Sequence, residues 1–460
     1  MIPYPAYKST DLPWLPKIPE HWEIRKLRHL LSLVSTKNRP DLPLLSVVRE
    51  KGVILRDVSN KEENHNYIPD DLSNYKLVKK GQFVMNKMKA WQGSYGVSDY
   101  DGIVSPAYFV FNLHGVMPSF FHRALRSKQY VPYFGQASDG IRVGQWDLSI
   151  PRMKEIPFAV PPLPKQEQIV RYLDSMTAKI NKLIRAKKKQ IALLQEQRQA
   201  IINQAVTKGL DPNVEMKDSG IDWIGKIPAH WESIQLRKVL RFVSIKNKVH
   251  EQLLSVTREQ GVIVRNVESK KENHNYIPND LSDYKYVEKN WFVINKMKAW
   301  QGSYAVSSYQ GIVSPAYFVC RLDFTNKQFF SRAIRSKAYV PFFTKYSKGI
   351  RVGQWDLSAT ALRSIPFFVP PESEQRAIVA FLDKKVERIN TLIAKYQEQI
   401  EGMLSFKQSV ISSVVTGQTD VRNIIVDHVE QNEHTTEFDN MSNDLDNPIQ
   451  ESEEINDYRN

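Results

Sequence analysis

The sequence predicts an α+β fold: two similar globular domains separated by two long helices, which form an antiparallel coiled coil with approximate two-fold symmetry. Three observations carry this expectation. First, the chain is an internal duplication. ENHNYIP at residues 63–69 recurs at 272–278, NKMKAWQGSY at 86–95 recurs at 295–304, GIVSPAYFV at 102–110 recurs at 311–319, and GIRVGQWDLS at 140–149 recurs at 349–358, each pair offset by 209. Over residues 45–110 the copies agree at 49 of 66 positions without a gap. Solenoid units run to about 20–50 residues, so each copy here is domain-sized. Second, each copy opens with short aromatic and β-branched runs broken by glycine, the pattern of strands and turns. Third, each copy closes with a long apolar stripe of helical period.

In chain order, the first domain spans residues 1–162. Its Trp22, in IPEHW, anchors the start, as Trp231 in IPAHW does for the second domain. Phe83-Val84-Met85 and residues 103–111 read as strands. Gln92-Gly93 and Asp101-Gly102 lie between them, and an Asp-Gly step between apolar runs is a hairpin signal. Pro161-Pro162 ends the domain. The first helical segment covers 163–210; from about Gln166 to Val206 it holds no proline or glycine. Ile169, Leu173, Met176, Ile180, Leu183, Ile184, Ile191, Leu194 and Ile201 fall mostly at steps of three, four or seven, an amphipathic stripe. The second domain covers 211–371 and the second helical segment 372–417, with Ile378, Leu382, Ile389, Leu392, Ile393, Ile400, Met403 and Val410 on the same period and, from Gln375 to Val415, Gly402 its one glycine. A helix of about 41 residues is roughly 60 Å long, and two such stripes cover each other as a coiled coil. Antiparallel pairing relates the domains by a two-fold axis, as local axes relate the strands of B-DNA. Residues 418–460 form an acidic segment expected to be disordered.

Composition narrows the function. Apolar residues make up 42% and charged residues 25%, ordinary for a globular protein and unlike a disordered one. A single cysteine, Cys320, excludes an internal disulfide and a cysteine-based zinc site. The opening MIPYPAYKST lacks a charged region leading into an apolar stretch, so no signal peptide is expected, and no run of about 18 apolar residues calls for a membrane helix. A cytoplasmic protein, with no membrane partner, is the expectation. The net charge is +14, but residues 427–460 carry eleven acids and one base, which leaves 63 bases against 39 acids in the rest. A body that basic points to a polyanion, with nucleic acid favoured over a lipid surface.

Two repeated segments have the chemistry for DNA. In residues 86–95, Lys87 and Lys89 suit phosphates, Asn86, Gln92, Ser94 and Tyr95 carry groups that hydrogen-bond base edges, and Trp91 can stack or wedge. The second copy offers Asn295, Lys296, Lys298, Trp300, Gln301, Ser303 and Tyr304. The alternative is a hairpin whose tryptophan and Met88 are core and whose lysines are merely solvated. In residues 140–149, Arg142 and Gln145 (Arg351 and Gln354 in the second copy) are residue types that read guanine and adenine; the alternative is a tight glycine turn leading into a capped helix. His65 and His274 read as surface or turn histidines, since no metal-ligand spacing surrounds them. No phosphate-cradling glycine loop, no amino-methyltransferase tetrapeptide and no carboxylate–lysine cluster is legible, so no catalytic, cofactor or metal residue is assigned.

These motifs, in this order and twice over, resemble the specificity (S) subunit of type I restriction–modification enzymes. The resemblance rests on residues 18–22 (IPEHW), 102–108 (GIVSPAY), 156–162 (IPFAVPP), 166–170 (QEQIV), Leu173-Asp174 and 205–210 (AVTKGL), with SPAYFV, IPFFVPP, EQRAIVAFLD and VVTG in the second copy. It implies two target-recognition domains spaced by long helices, double-stranded DNA as ligand, and no catalysis by this chain. It further implies two methyltransferase subunits and two restriction subunits as partners, which hold S-adenosylmethionine, ATP and Mg; no cofactor is expected here. The family generally pairs two dissimilar recognition domains. Near-identical copies predict instead a near-palindromic bipartite site. A stand-alone DNA-cleaving or DNA-modifying enzyme and a coiled-coil adaptor are the rival readings.

Overall fold

The computed structural model describes residues 2–49, 51–58, 68–139, 146–266, 277–349 and 355–426. The chain divides into two compact units. The first gathers residues up to Lys187 with a segment beginning at Glu398; the second gathers Lys188–Gln397.

In the first unit a four-stranded antiparallel sheet has the order Leu31–Val34, Tyr108–Leu113, Phe83–Asn86, Tyr95–Val97. Alternate residues of a strand face opposite sides, and both sides are buried here. Phe83, Met85 and Phe111 join Trp22, Phe120, Phe121 and Phe134 in one core, while Val84 and Val110 join Leu45, Val47, Val53, Val78 and Val104 in another. The second core is roofed by the hairpin of Leu45–Val48 with Gly52–Leu55 and by the pair Lys76–Val78 with Gly102–Val104. Lys76 Nζ donates to the Pro106 and Tyr108 carbonyls at 2.8 and 2.6 Å, pinning the turn between the GIV and YFV strands.

The Asp101-Gly102 step is therefore not a hairpin turn. Gly102 starts a strand that pairs with Lys76–Val78, and a Cβ on it would lie 2.6 Å from the Pro43 carbonyl oxygen and from Leu45. Close backbone approach, not a left-handed turn, requires the glycine. The expected continuous strand 103–111 also breaks in two at Ser105-Pro106-Ala107, where proline supplies no N–H to a ladder.

The long helices are Leu163–Lys208 and Glu372–Val415. In the first unit, the start of the first helix packs on the end of the second. Ile169, Val170 and Leu173 share the Trp22 core with Val410, Val414 and Val415. Lys407 Nζ donates to Asn181 Oδ1 at 2.9 Å, and Gln168 Nε2 donates to the Val421 and Ile424 carbonyls at 3.1 and 3.0 Å. As numbering rises along one helix it falls along the other, so the pairing is antiparallel. Gly417, at φ 73°, ends the second helix, and the Asp420 N–H donates to the Ile2 carbonyl at 2.7 Å.

The second unit repeats this plan. Its sheet runs Leu240–Val243, Tyr317–Leu322, Phe292–Asn295, Tyr304–Val306. Ala205 and Val206 from the first helix share the Trp231 core with Ile378, Val379 and Leu382 from the second. Arg198 Nη1 donates to Asn390 Oδ1 at 2.6 Å, again antiparallel. Leu183 and its counterpart Leu392, read from the sequence as stripe residues, are exposed: the 3.6-residue turn carries them off the contact line that Ile180, Ile184, Ile389 and Ile393 occupy. Among the described residues no helix is long and apolar enough to cross a membrane.

Candidate nucleic-acid interface

Residues 87–94 connect Phe83–Asn86 to Tyr95–Val97 through the single turn Ala90–Gln92. The backbone fixes this loop. Asn86 N–H donates to the Ser94 carbonyl at 3.0 Å, Gln92 N–H to Lys89 at 3.1 Å, and Gly93 takes φ 91°, a conformation other residues rarely adopt. The second copy matches: Asn295 N–H donates to Ser303 at 3.0 Å and Gly302 has φ 98°.

The two candidate segments meet at this loop. Trp91 packs on Trp146 with centroids 5.0 Å apart, and Trp300 on Trp355 at 5.2 Å. The Leu148 N–H donates to the Lys87 carbonyl at 3.1 Å, and Leu357 to Lys296 at 3.0 Å. Strands Ser138–Asp139 and Asp147–Leu148 pair beside it. Arg142, Gln145, Arg351 and Gln354 lie outside the described residues, as do His65, His274 and the acidic segment from residue 427.

The described residues sort the sequence candidates. Lys89 is exposed at the loop, and Lys298, Gln92 and Gln301 are half-buried. Lys87 Nζ contacts Asp147 Oδ2 at 2.6 Å, and Lys296 contacts Asp356 at 3.4 Å, so each lysine enters any anion contact with a carboxylate attached. Asn86 Oδ1 accepts the Met88 N–H at 3.1 Å and Asn295 Oδ1 the Met297 N–H at 3.2 Å; that oxygen shapes the loop. Trp91 and Trp300 are half-buried, and among the described residues their indole nitrogens, shielded from solvent, have no hydrogen-bond partner.

Four candidates are corrected. Tyr95 is fully buried, its hydroxyl donating to the Leu125 carbonyl at 2.9 Å, and Tyr304 is buried and stacked on Phe343 at 3.8 Å. Ser94 and Ser303 are buried below the loop. The pleat explains this: Tyr95 and Tyr304 start the return strand on its core-facing side. Burial drives both phenols well above their ordinary pKa.

Two pairs escaped the sequence reading. Met88, there placed in the core as the alternative, and its counterpart Met297 are 49% and 57% exposed in the loop, where an unbranched apolar side chain suits contact with a base or a thymine methyl. Arg258, from the neighbouring hairpin, runs beside the loop, its Cγ 3.6 Å from where a Cβ on Gly302 would lie; Arg49 is its counterpart. Their sequence signal was only a basic residue between two strand-like runs.

Each unit thus presents one loop bearing lysine, glutamine, methionine and a tryptophan pair, and the two loops have the same sequence. A family model described as the type I restriction modification DNA specificity domain matches residues 19–193, and the second copy repeats those motifs. Two specificity subunits of type I restriction enzymes from Methanocaldococcus jannaschii are similar over most of their length. MjaX is 21% identical over 443 residues, 90% of this chain and 97% of that protein. MjaVIII is 22% identical over 434 residues, 89% and 95% respectively. A solved chain, from work on complex assembly and conformational transition in a type I restriction–modification system, shares the fold at TM-score 0.61 and 13% identity, covering 87% of this chain and 99% of that one. The chain is therefore similar to type I restriction–modification specificity subunits, in sequence over most of its length and in fold.

Proposed function

We propose that this chain is the DNA-recognition subunit of a type I restriction–modification complex, reading a bipartite, near-palindromic site. The observation that carries the reading is the twin loop: the same ten residues, the same ring pair and the same backbone tie in both units. Lys89, Lys298 and the Asp-paired Lys87 and Lys296 position the duplex through its phosphates. Gln92, Gln301, Met88 and Met297 are the base-edge candidates, together with Arg142, Gln145, Arg351 and Gln354, which lie outside the described residues. Two methyltransferase subunits dock on this chain and two restriction subunits join them, in the cytoplasm. S-adenosylmethionine, ATP and Mg belong to those partners, and this chain performs no chemistry of its own.

Anisotropy titration of the purified full chain with duplex DNA tests the reading. Lys89→Ala with Lys298→Ala should weaken binding to every duplex and make the slope of log K against log salt shallower by about 0.9 per phosphate lost. Gln92→Ala with Gln301→Ala should cost about 1–3 kcal/mol of discrimination in each half-site. A wild-type chain that binds no duplex, or one on which Lys89→Ala with Lys298→Ala leaves the slope unchanged, contradicts it.

A further inference from the structure

The two units differ in charge beside the edge strand of each sheet. In the second unit, Gln235, Arg237, Arg241, Phe242, Thr360, Arg363 and Ser364 line an open cleft of about 590 Å³. The Arg363 guanidinium sits 4.8 Å from the Phe242 ring centroid, and Phe242 packs edge-on against Phe318 at 5.3 Å, so this cation is held by the ring face. Arg241 Nε contacts Asp323 at 3.3 Å, an acid it shares with Arg321 at 3.0 Å. Neither Arg237 nor Arg363 has an acidic partner among the described residues.

The first unit closes the equivalent position. Glu155 occupies the place of Ser364, and it binds Lys26 at 2.6 Å and Arg28 at 2.9 Å. Arg28 is the counterpart of Arg237, Lys154 of Arg363, Ser32 of Arg241 and Asn112 of Arg321. Both units carry a basic cluster with one carboxylate in it, but Glu155 sits on Arg28 in the first, whereas Asp323 in the second sits on Arg241 and Arg321 and leaves Arg237 and Arg363 without an acidic partner among the described residues.

We propose that the cleft of the second unit binds a backbone phosphate of DNA, so that this head grips the duplex with at least one more phosphate contact than its twin. The inference deepens the DNA-recognition reading and rests on it. Placement favours DNA over a protein carboxylate. Helix Ala359–Ser364, which carries Thr360, Arg363 and Ser364, follows directly on Asp356–Leu357, whose Leu357 N–H is tied to the candidate loop at Lys296. Arg363 is six residues beyond that tie, and the edge strand Leu240–Val243 is two strands from Phe292–Asn295, roughly 10 Å to the side, with Phe242 level with Phe292 and so three residues along the strand from Asn295. Phosphates lie about every 7 Å along a strand, and a guanidinium pair with neighbouring hydroxyl and carboxamide groups suits their oxygens.

Salt titration of the full chain against a random-sequence duplex tests this, because phosphate contacts operate without sequence. Ser364→Glu should recreate the closed first-unit arrangement on Arg237 and make the slope of log K against log salt shallower by about 0.9. Arg237→Gln with Arg363→Gln should do so by about the same or more. Glu155→Ser, which frees Lys26 and Arg28, should make it steeper, a change that misfolding does not produce. If the wild type binds the duplex and these variants leave the slope unmoved, the assignment is overturned. Unmoved slopes with weakened assembly onto the methyltransferase overturn it in favour of a protein carboxylate. A wild type that binds no duplex removes the recognition reading itself.

Discussion

Beneath the first loop, the Val97 N–H donates to His122 Nδ1 at 3.0 Å, a bond that requires that nitrogen to be unprotonated. Burial, reinforced by Arg126 and Arg123, pushes the His122 pKa down to about 3. The unfolded chain takes up this proton near pH 6.5, so His122 contributes stability that is intact above pH 6.5 and is lost as pH falls toward 3, by up to about 1.4 kcal/mol per unit. The second unit has Ser331 at the same place and Ala305 where the first has Gly96; a Cβ on Gly96 would lie 3.1 Å from His122 Cε1. Thermal unfolding followed from pH 7 to 5 should therefore show the first unit weakening more than the second, and His122→Ser should remove the difference. Equal acid sensitivity of the two units in the wild type would count against this account. At this scale the sequence revealed residue type but not direction. Trp22 and Trp231 were legible as anchors because large aromatics in a short proline-bounded motif have few other uses. Tyr95 and Asn86 were not, since hydrogen-bonding capacity says nothing about which side of a strand a group faces or whether the backbone already uses it.

Helices were the most legible elements, because more than forty residues without proline and with one repeating stripe admit little else. Their contact line was less so: Leu183 and Leu392 fit the period but lie outside the seam. Sheet pairing was the least legible. Gly102 and Gly311 carry the letter of a turn residue, yet they are needed because Pro43 and Gln252 carbonyls approach within 2.6 and 2.4 Å of a Cβ position, a long-range fact no local motif records. The helical expectation supplies its own test. Removing four matched residues from Leu163–Lys208 and from Glu372–Val415 shortens each by about 6 Å, nearly two base pairs at 3.4 Å each. The preferred spacer between half-sites should contract by about two base pairs; an unchanged spacer would mean helix length does not set it.

For the whole molecule, the duplication matters because of where the copies diverge. Gly81/Asn290 and Gln82/Trp291 precede the strand that leads into each loop, and Asp99/Ser308 follows the strand that leaves it. These positions lie at the end of the hairpin opposite residues 87–94. Gly81 and Asn290 even share a left-handed backbone, φ 88° and 71°. The loop sequences and the GIRVGQWDLS sequence are unchanged between the copies. On the proposed reading, divergence falls on the scaffold and on the basic cleft of the second unit, so the two loops should read the same bases while the second unit grips the backbone more strongly. Methylome sequencing of a host carrying this system measures the consequence directly. The account predicts one half-sequence and its inverted complement, separated by a spacer of fixed length; two unrelated half-sequences would contradict it.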